Sequence, residues 1–134
     1  MGQRDLTAHT AAWIETDNDT SGGTAEAIHA GESGKKHYVL GIAVSGTTGV
    51  DPNEEIAVSL KDDSTVKLLV DAITTGRAGV SGGATPFSGV QPFVITFDDP
   101  IEITSGNPCS VEADPSSTSS DRICANIWGF TLDG

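Results

Sequence analysis

Positive charge is scarce in this chain: seven Lys and Arg stand against nineteen Asp and Glu, a net charge of −12 over 134 residues. Phosphate backbones and anionic membrane surfaces both recruit Lys and Arg, so nucleic acid and membrane are disfavoured as partners. Apolar residues reach 37%, below the usual share, which limits the chain to a modest core. The longest apolar run, Tyr38–Val44, is far short of the roughly 18 residues a membrane-spanning helix needs. Residues 1–14 contain Arg4 and Asp5 but no apolar h-region, which reads as synthesis in the cytosol. Two cysteines, Cys109 and Cys124, are too few for a disulfide scaffold. They flank Ser110–Ile123, read as a hairpin turning near Ser116–Ser117, which sets the thiols opposite each other. A disulfide and two buried free thiols both remain open.

What the chain has in quantity is glycine, sixteen of them, with many Ser and Thr. Glycine is costly inside helices, whereas Thr and Val suit pleated strands. The hydrophobic period is two almost throughout. In His37–Ser45 one face carries Tyr38, Leu40, Ile42 and Val44, and the other His37, Val39, Gly41 and Ala43, so a central strand is expected. Glu55–Leu60, Pro92–Phe97 and Ile123–Leu132 alternate in the same way. Ile101 and Ile103 suggest a short strand after a break at Asp98-Asp99-Pro100, and Ser110–Asp114 pairs with the last strand. Thr10–Thr16 and Ala25–Ala30 are weaker strands. Val66–Ile73 fits a strand and also a 3.6-residue period. Lys61-Asp62-Asp63-Ser64 and Ser105-Gly106-Asn107-Pro108 are turn chemistry. Eight or nine short strands at this spacing predict an all-β, antiparallel sandwich or barrel. Residues 1–9 form an N-terminal arm and residues 10–134 one domain.

Tests for chemistry return little. His9, His29 and His37 stand apart from one another and from ligand partners at metal spacing. Glu15–Gly22 resembles a calcium loop, but counting from Asp17 the twelfth position is Ile28, not the bidentate Glu such a loop needs, so it reads as a solvated acidic turn. Gly76–Gly83 lacks the Lys-Ser/Thr ending of a phosphate loop, and no nucleophile elbow is present. The pairs Glu54-Glu55, Asp62-Asp63 and Asp98-Asp99 fall in or beside turns, which gives no enclosed acid–base pair. The chain reads as a non-enzyme without cofactor or metal. In the C-terminal segment Ile123, Ala125 and Ile127 share one face, while Cys124, Asn126, Trp128 and Phe130 share the other. Either Trp128 and Phe130 mark a partner contact on an outer face, or both faces are buried.

Three stretches carry a family resemblance: Tyr38–Ser45, Phe97–Asn107, and the ending Asn126-Ile127-Trp128-Gly129-Phe130-Thr131-Leu132. With these the chain resembles the small jelly-roll proteins of tailed bacteriophages, the capsid decoration or cement proteins and related head-fibre and spike domains. The resemblance implies a jelly roll of two antiparallel sheets, a homotrimer, docking on the major capsid protein at the capsid surface, and no catalysis. It implies a virion location after synthesis in the host cytoplasm. Within it, Gln3, Arg4, Leu6 and Trp13 are expected to contact the capsid, and Tyr38, Trp128 and Phe130 to pack between subunits. The alternative is a carbohydrate-binding or host-attachment module, with Trp128 and the loop Thr85–Gln91 as its site.

Overall fold

The computed structural model describes residues 12–20, 23–48, 55–75, 88–115 and 122–134. They form eight strands: β1 (Ala12–Asp19), β2 (Ala25–His29), β3 (Lys35–Thr48), β4 (Glu55–Asp62), β5 (Thr65–Thr75), β6 (Ser88–Glu102), β7 (Cys109–Pro115) and β8 (Arg122–Asp133). No helix occurs among the described residues, so the ambiguous Val66–Ile73 segment is a strand. The tight turn at Asp63-Ser64 makes β4 and β5 a hairpin, and Asp63 supplies the left-handed conformation it needs, with φ 54°. Around that hairpin the pairing nests: β3 with β6, β2 with β7, and β1 with β8, all antiparallel. Folding the nested ribbon over itself yields two four-stranded sheets, β1-β8-β3-β6 and β2-β7-β4-β5. They join where Thr74 and Thr75 of β5 meet Val90 and Gly89 of β6. The molecule is an antiparallel β-sandwich, as the spacing of strands and turns predicts.

Between the sheets lie Val39, Ile42 and Val44 of β3 with Ile123, Ala125 and Ile127 of β8, opposed by Ile56, Val58 and Leu60 of β4 and Val111 and Ala113 of β7. Each buried Ile or Leu contributes roughly 1.5–3 kcal/mol relative to exposure. The aromatics Trp13, Phe93 and Phe97 pack only at the margin of this aliphatic core.

Four expectations are corrected. The period-two reading of β3 fails at Leu40: the register steps from Val39 to Gly41, so the bulge puts His37, Val39, Ile42 and Val44 on one side. Asp98-Asp99-Pro100 does not end a strand. β6 runs through it, while its pairing with β3 jumps from Ile101 to Thr96, leaving Phe97–Pro100 out of the ladder. The acidic segment at residues 15–19 is not a turn but β1, and its carboxylates turn inward. There Glu15 pairs with the His29 ring, Asp17 accepts from the Glu26 amide and Asp19 from the Gly23 amide. Charges pointing inward on an edge strand discourage further strand addition. Finally, β7 and β8 do not form a hairpin, because β7 lies between β2 and β4, and β8 between β1 and β3. Cys109 and Cys124 therefore belong to different sheets, and both are free.

The β6–β7 corner is fixed by Asp62, 3% exposed. Its carboxylate accepts from Thr104 N and Oγ1 at 2.9 and 2.7 Å and from Asn107 Nδ2 at 2.9 Å, with Lys67 Nζ at 3.7 Å. Burial pushes the carboxyl up, but these hydrogen bonds and the Lys67 charge outweigh it and hold Asp62 below its ordinary range. The folded state thus releases this proton more readily than the unfolded chain does. Asp62 stabilises the fold fully above about pH 4, and the contribution fades as pH falls through the depressed value. Asp62→Ala, which strands the Thr104 and Asn107 donors, should cost about 1–3 kcal/mol at neutral pH by urea denaturation. The gap from the unaltered chain should narrow in acid, and a gap independent of pH would contradict this account.

Candidate functional site

The antiparallel register lays out the outer face of the β1-β8-β3-β6 sheet row by row. Ala12, Phe130, Tyr38 and Glu102 form one row. Ile14, Trp128, Gly41 and Thr96 form the next, followed by Thr16, Asn126, Ala43 and Val94, and then Asn18, Cys124 and Ser45. The last three rows contain no charged residue. Ile14 is 66% and Val94 60% exposed; Ile14 pairs directly with the half-buried Trp128, and Val94 lies one row on, across β3. Tyr38 and Phe130 stack across β3 and β8, centroids 5.1 Å apart and planes 9° from parallel. The Trp128 ring lies over Gly41: a Cβ there would fall 2.2 Å from Cζ2, 2.6 Å from Cε2, and 2.9 Å from the Ile95 carbonyl oxygen. Glycine is therefore what lets the indole settle on the sheet. At the margin, Lys36 and Glu102 neutralise each other.

The opposite outer face, on β2-β7-β4-β5, is different. Across it run Glu26, Glu112, Ser59 and Leu69 in one row and Asp114, Ala57 and Asp71 in another. Lys61 Nζ donates to Glu112 Oε2 at 2.7 Å. Burial, followed by the hydrogen bond and charge of Glu112, pushes Glu26 above the usual carboxylate range. The Lys61 hydrogen bond holds Glu112 below it. Exposed apolar side chains such as Leu69, 63% exposed, are here interspersed with charge.

Tyr38, Trp128 and Phe130, the expected subunit-packing residues, thus come together on one outer face. Among the described residues, Ile123, Ala125 and Ile127 of β8 are in the core, while Trp128 and Phe130 lie half-buried on its outer side. Trp13 does not join them: it lies on the inner side of β1, its ring stacked on His29 at 4.1 Å and its Nε1–H donated to Thr131 Oγ1 at 3.0 Å. Its neighbour Ile14 takes the outward position. Gln3, Arg4, Leu6 and His9 lie outside the described residues, as do residues 85–87 of the Thr85–Gln91 loop. Ile14, Gly41 and Val94 were missed because their importance depends on which strands are neighbours. His29 and His37, apart in sequence, also meet, centroids 4.5 Å apart. Among the described residues no group of three or more His, Cys, Asp or Glu could hold a metal ion.

The two thiols differ in kind. Burial, then the charges of Asp62 and Glu15, push the Cys109 thiol up to about 12, whereas Cys124 is half-buried on the outer face. Thiolate is the reactive form. Ellman's reagent near pH 8 should therefore modify one thiol per native chain, Cys124, with Cys109 reacting only on unfolding. Prompt reaction of both in the native state would contradict the placement.

No family model matches the chain, and no curated protein matches it. Among solved structures, a chain of the acidic stable capsid structure of Helicobacter pylori bacteriophage KHP30 is similar over 92% of this chain and 90% of that one, with a TM-score of 0.52 and 12% identity. The crystal structure of dimeric latent PorU from Porphyromonas gingivalis is similar over 92% of this chain but 13% of that one, with a TM-score of 0.54 and 12% identity. At these identities the likeness is one of fold, and this chain corresponds to about an eighth of the PorU chain.

Proposed function

We propose that the chain is a structural protein of a bacteriophage virion, a cement or decoration protein that docks on the outside of the capsid as a homotrimer. The observation that carries this reading is the contrast between the two outer faces. Copies of a chain with net charge −12 repel one another. The uncharged rows around Ile14, Trp128 and Val94 are where copies approach without opposing carboxylates. Four strands about 4.8 Å apart and the three uncharged rows about 6.8 Å apart span roughly 400 Å² in projection. With a rim, that falls within reach of the roughly 800 Å² per partner of a stable interface. The nested pairing of the eight strands supports a jelly-roll reading of the sandwich, an architecture used in viral capsid domains. The likeness to a chain of a phage capsid, covering nearly all of both chains, agrees with a shell role.

In this reading Tyr38, Trp128, Phe130 and Ile14 pack between subunits. Gln3, Arg4 and Leu6 contact the major capsid protein, and Trp13 serves inside the fold instead. Binding to the assembled shell and not to its free subunits stabilises the shell by mass action. Sedimentation equilibrium should give three times the 13.7 kDa chain mass. Purified shells should retain the protein, and deletion of residues 1–9 should abolish shell binding while leaving the trimer. A monomer at all concentrations with no shell retention would overturn the proposal. One observation favours a carbohydrate-binding module instead: Trp128 seated over Gly41 with Asn126, Thr16 and Thr96 nearby is a surface on which a sugar ring can stack. Saturable binding on a glycan array, lost in Trp128→Ala, would favour that module over the cement protein.

A further inference from the structure

The edge strand β1 is held to the core by little apolar surface. Of its inner side chains, Trp13, Glu15, Asp17 and Asp19, Trp13 alone is apolar. How Trp13 is seated therefore bears on whether β1 stays in place. Its ring stacks on His29, meets the edge of His37 at 6.0 Å, and donates to Thr131 Oγ1.

His37, 1% exposed, completes a relay. Its Nε2 lies 2.9 Å from the Ala30 carbonyl oxygen, which can only accept, so Nε2 carries a hydrogen. In the neutral ring Nδ1 is then an acceptor, and the Thr131 hydroxyl 2.7 Å away donates to it. The chain of bonds runs from Trp13 N–H to Thr131 O–H to His37 and on to Ala30 C=O, each donor matched to one acceptor. A second proton would make Nδ1 a donor facing that hydroxyl. Thr131 Oγ1 would then accept from both Trp13 and His37, and its own hydrogen would need another acceptor in a buried site, a cost that falls on the cluster holding Trp13.

We propose that this cluster is an acid-sensitive latch on β1: proton uptake at His37 undoes the relay that seats Trp13 and frees the strand that carries Ile14 on the outer face. The titratable and charged groups around His37 are His29 from β2, Glu15 from β1 behind His29, Glu32 from the turn before β3, and the Cys109 thiol from β7 across from His29. The Lys35–Asp133 ion pair lies one step further along β3 and β8. Burial leads in pushing His37 below the usual histidine range, with His29 adding to it and the Ala30 hydrogen bond and Glu32 opposing. The sign follows. The folded chain holds this proton less tightly than the open one, so the latch is fully closed above about pH 6.5. The open state then gains at most about tenfold per pH unit as pH falls below that. The latch belongs to the single chain, whatever its outer face meets.

Amide hydrogen exchange of the full chain, followed by NMR near pH 7.5 and pH 5.5 and expressed as protection factors, tests this. Protection of the β1 amides bonded to β8 should fall between the two, by no more than about tenfold, while that of Val58 and Leu60 in β4 holds. His37→Gln, which keeps one donor and one acceptor, should flatten the difference. Protection of β1 that ignores pH, or that falls equally in His37→Gln, would overturn the latch. If His37→Gln does not fold, the unaltered chain decides. A shared midpoint for the His37 ring titration and the β1 protection loss supports the proposal, and separate midpoints overturn it.

Discussion

Gly129→Ala is expected to be among the most damaging single substitutions in this protein, removing about 3 kcal/mol or more of a stability that for domains of this kind is about 5–15 kcal/mol. A Cβ at Gly129 would lie 2.0 Å from the Tyr38 carbonyl oxygen and 2.9 Å from Trp13 Cζ2. The carbonyl belongs to the β3 backbone beside the Leu40 bulge and cannot swing aside as a side chain would. Relief requires parting β3 from β8, the two central strands of their sheet, or unseating Trp13. Gly34 and Gly106 provide the comparison. Their φ angles are +73° and +85°, yet nothing lies within 4 Å of a Cβ built there. Gly34→Ala should cost only the conformational penalty of about 1–2 kcal/mol. Urea denaturation of the variants side by side checks the ordering, and equal losses at Gly129 and Gly34 would contradict it.

The second large effect concerns association. Replacing Trp128 and Phe130 together with Ser should weaken self-association by at least about thirtyfold. Truncating one buried aromatic anchor at an interface costs about 2 kcal/mol or more, and 1.4 kcal/mol is a factor of ten. These side chains point away from the core, since β8 buries Ile123, Ala125 and Ile127 instead. The variant should therefore remain folded, as circular dichroism would show, while its sedimentation shifts towards monomer. Leu69→Ser removes an exposed apolar side chain from the charged face and should leave association unchanged. Equal effects from both faces would remove the basis for singling one out.

How much of this was readable in advance depends on which physical signal was local. Period-two alternation in Ile123–Leu132 separated the two faces of β8, because that depends only on the pleat, and left open whether one face or both are buried. The apolar-on-both-sides pattern of His37–Ser45 marked a central strand, and β3 indeed lies between β8 and β6. The Leu40 bulge was invisible to a strict period, and its single extra residue moved Ile42 and Val44 to the same side as His37 and Val39. Pairing order was equally out of reach. The polar tip after Asp114-Pro115 looks like a hairpin turn, yet β7 and β8 belong to opposite sheets, so Cys109 and Cys124 part company. The same nesting brings residues near both ends of the chain together. Trp13 reaches Thr131, and His29 reaches His37, by contacts that no spacing motif could announce. The inward turn of Glu15, Asp17 and Asp19 was hidden for a related reason: acidic residues suggest a solvated turn until the Gly23 and Glu26 amides are seen to need acceptors.

The claim on which the rest depends is that the uncharged sheet face, rather than the charged one, meets other copies of the chain. Cysteine cross-linking tests it most directly. In a Cys124→Ser background, Val94→Cys and Leu69→Cys place single exposed thiols on the two opposite faces, at positions 60% and 63% exposed. With a short bis-maleimide, Val94→Cys should yield chains linked to one another at concentrations where the protein associates, and Leu69→Cys should remain single. Linkage through Leu69→Cys with none through Val94→Cys would contradict the account.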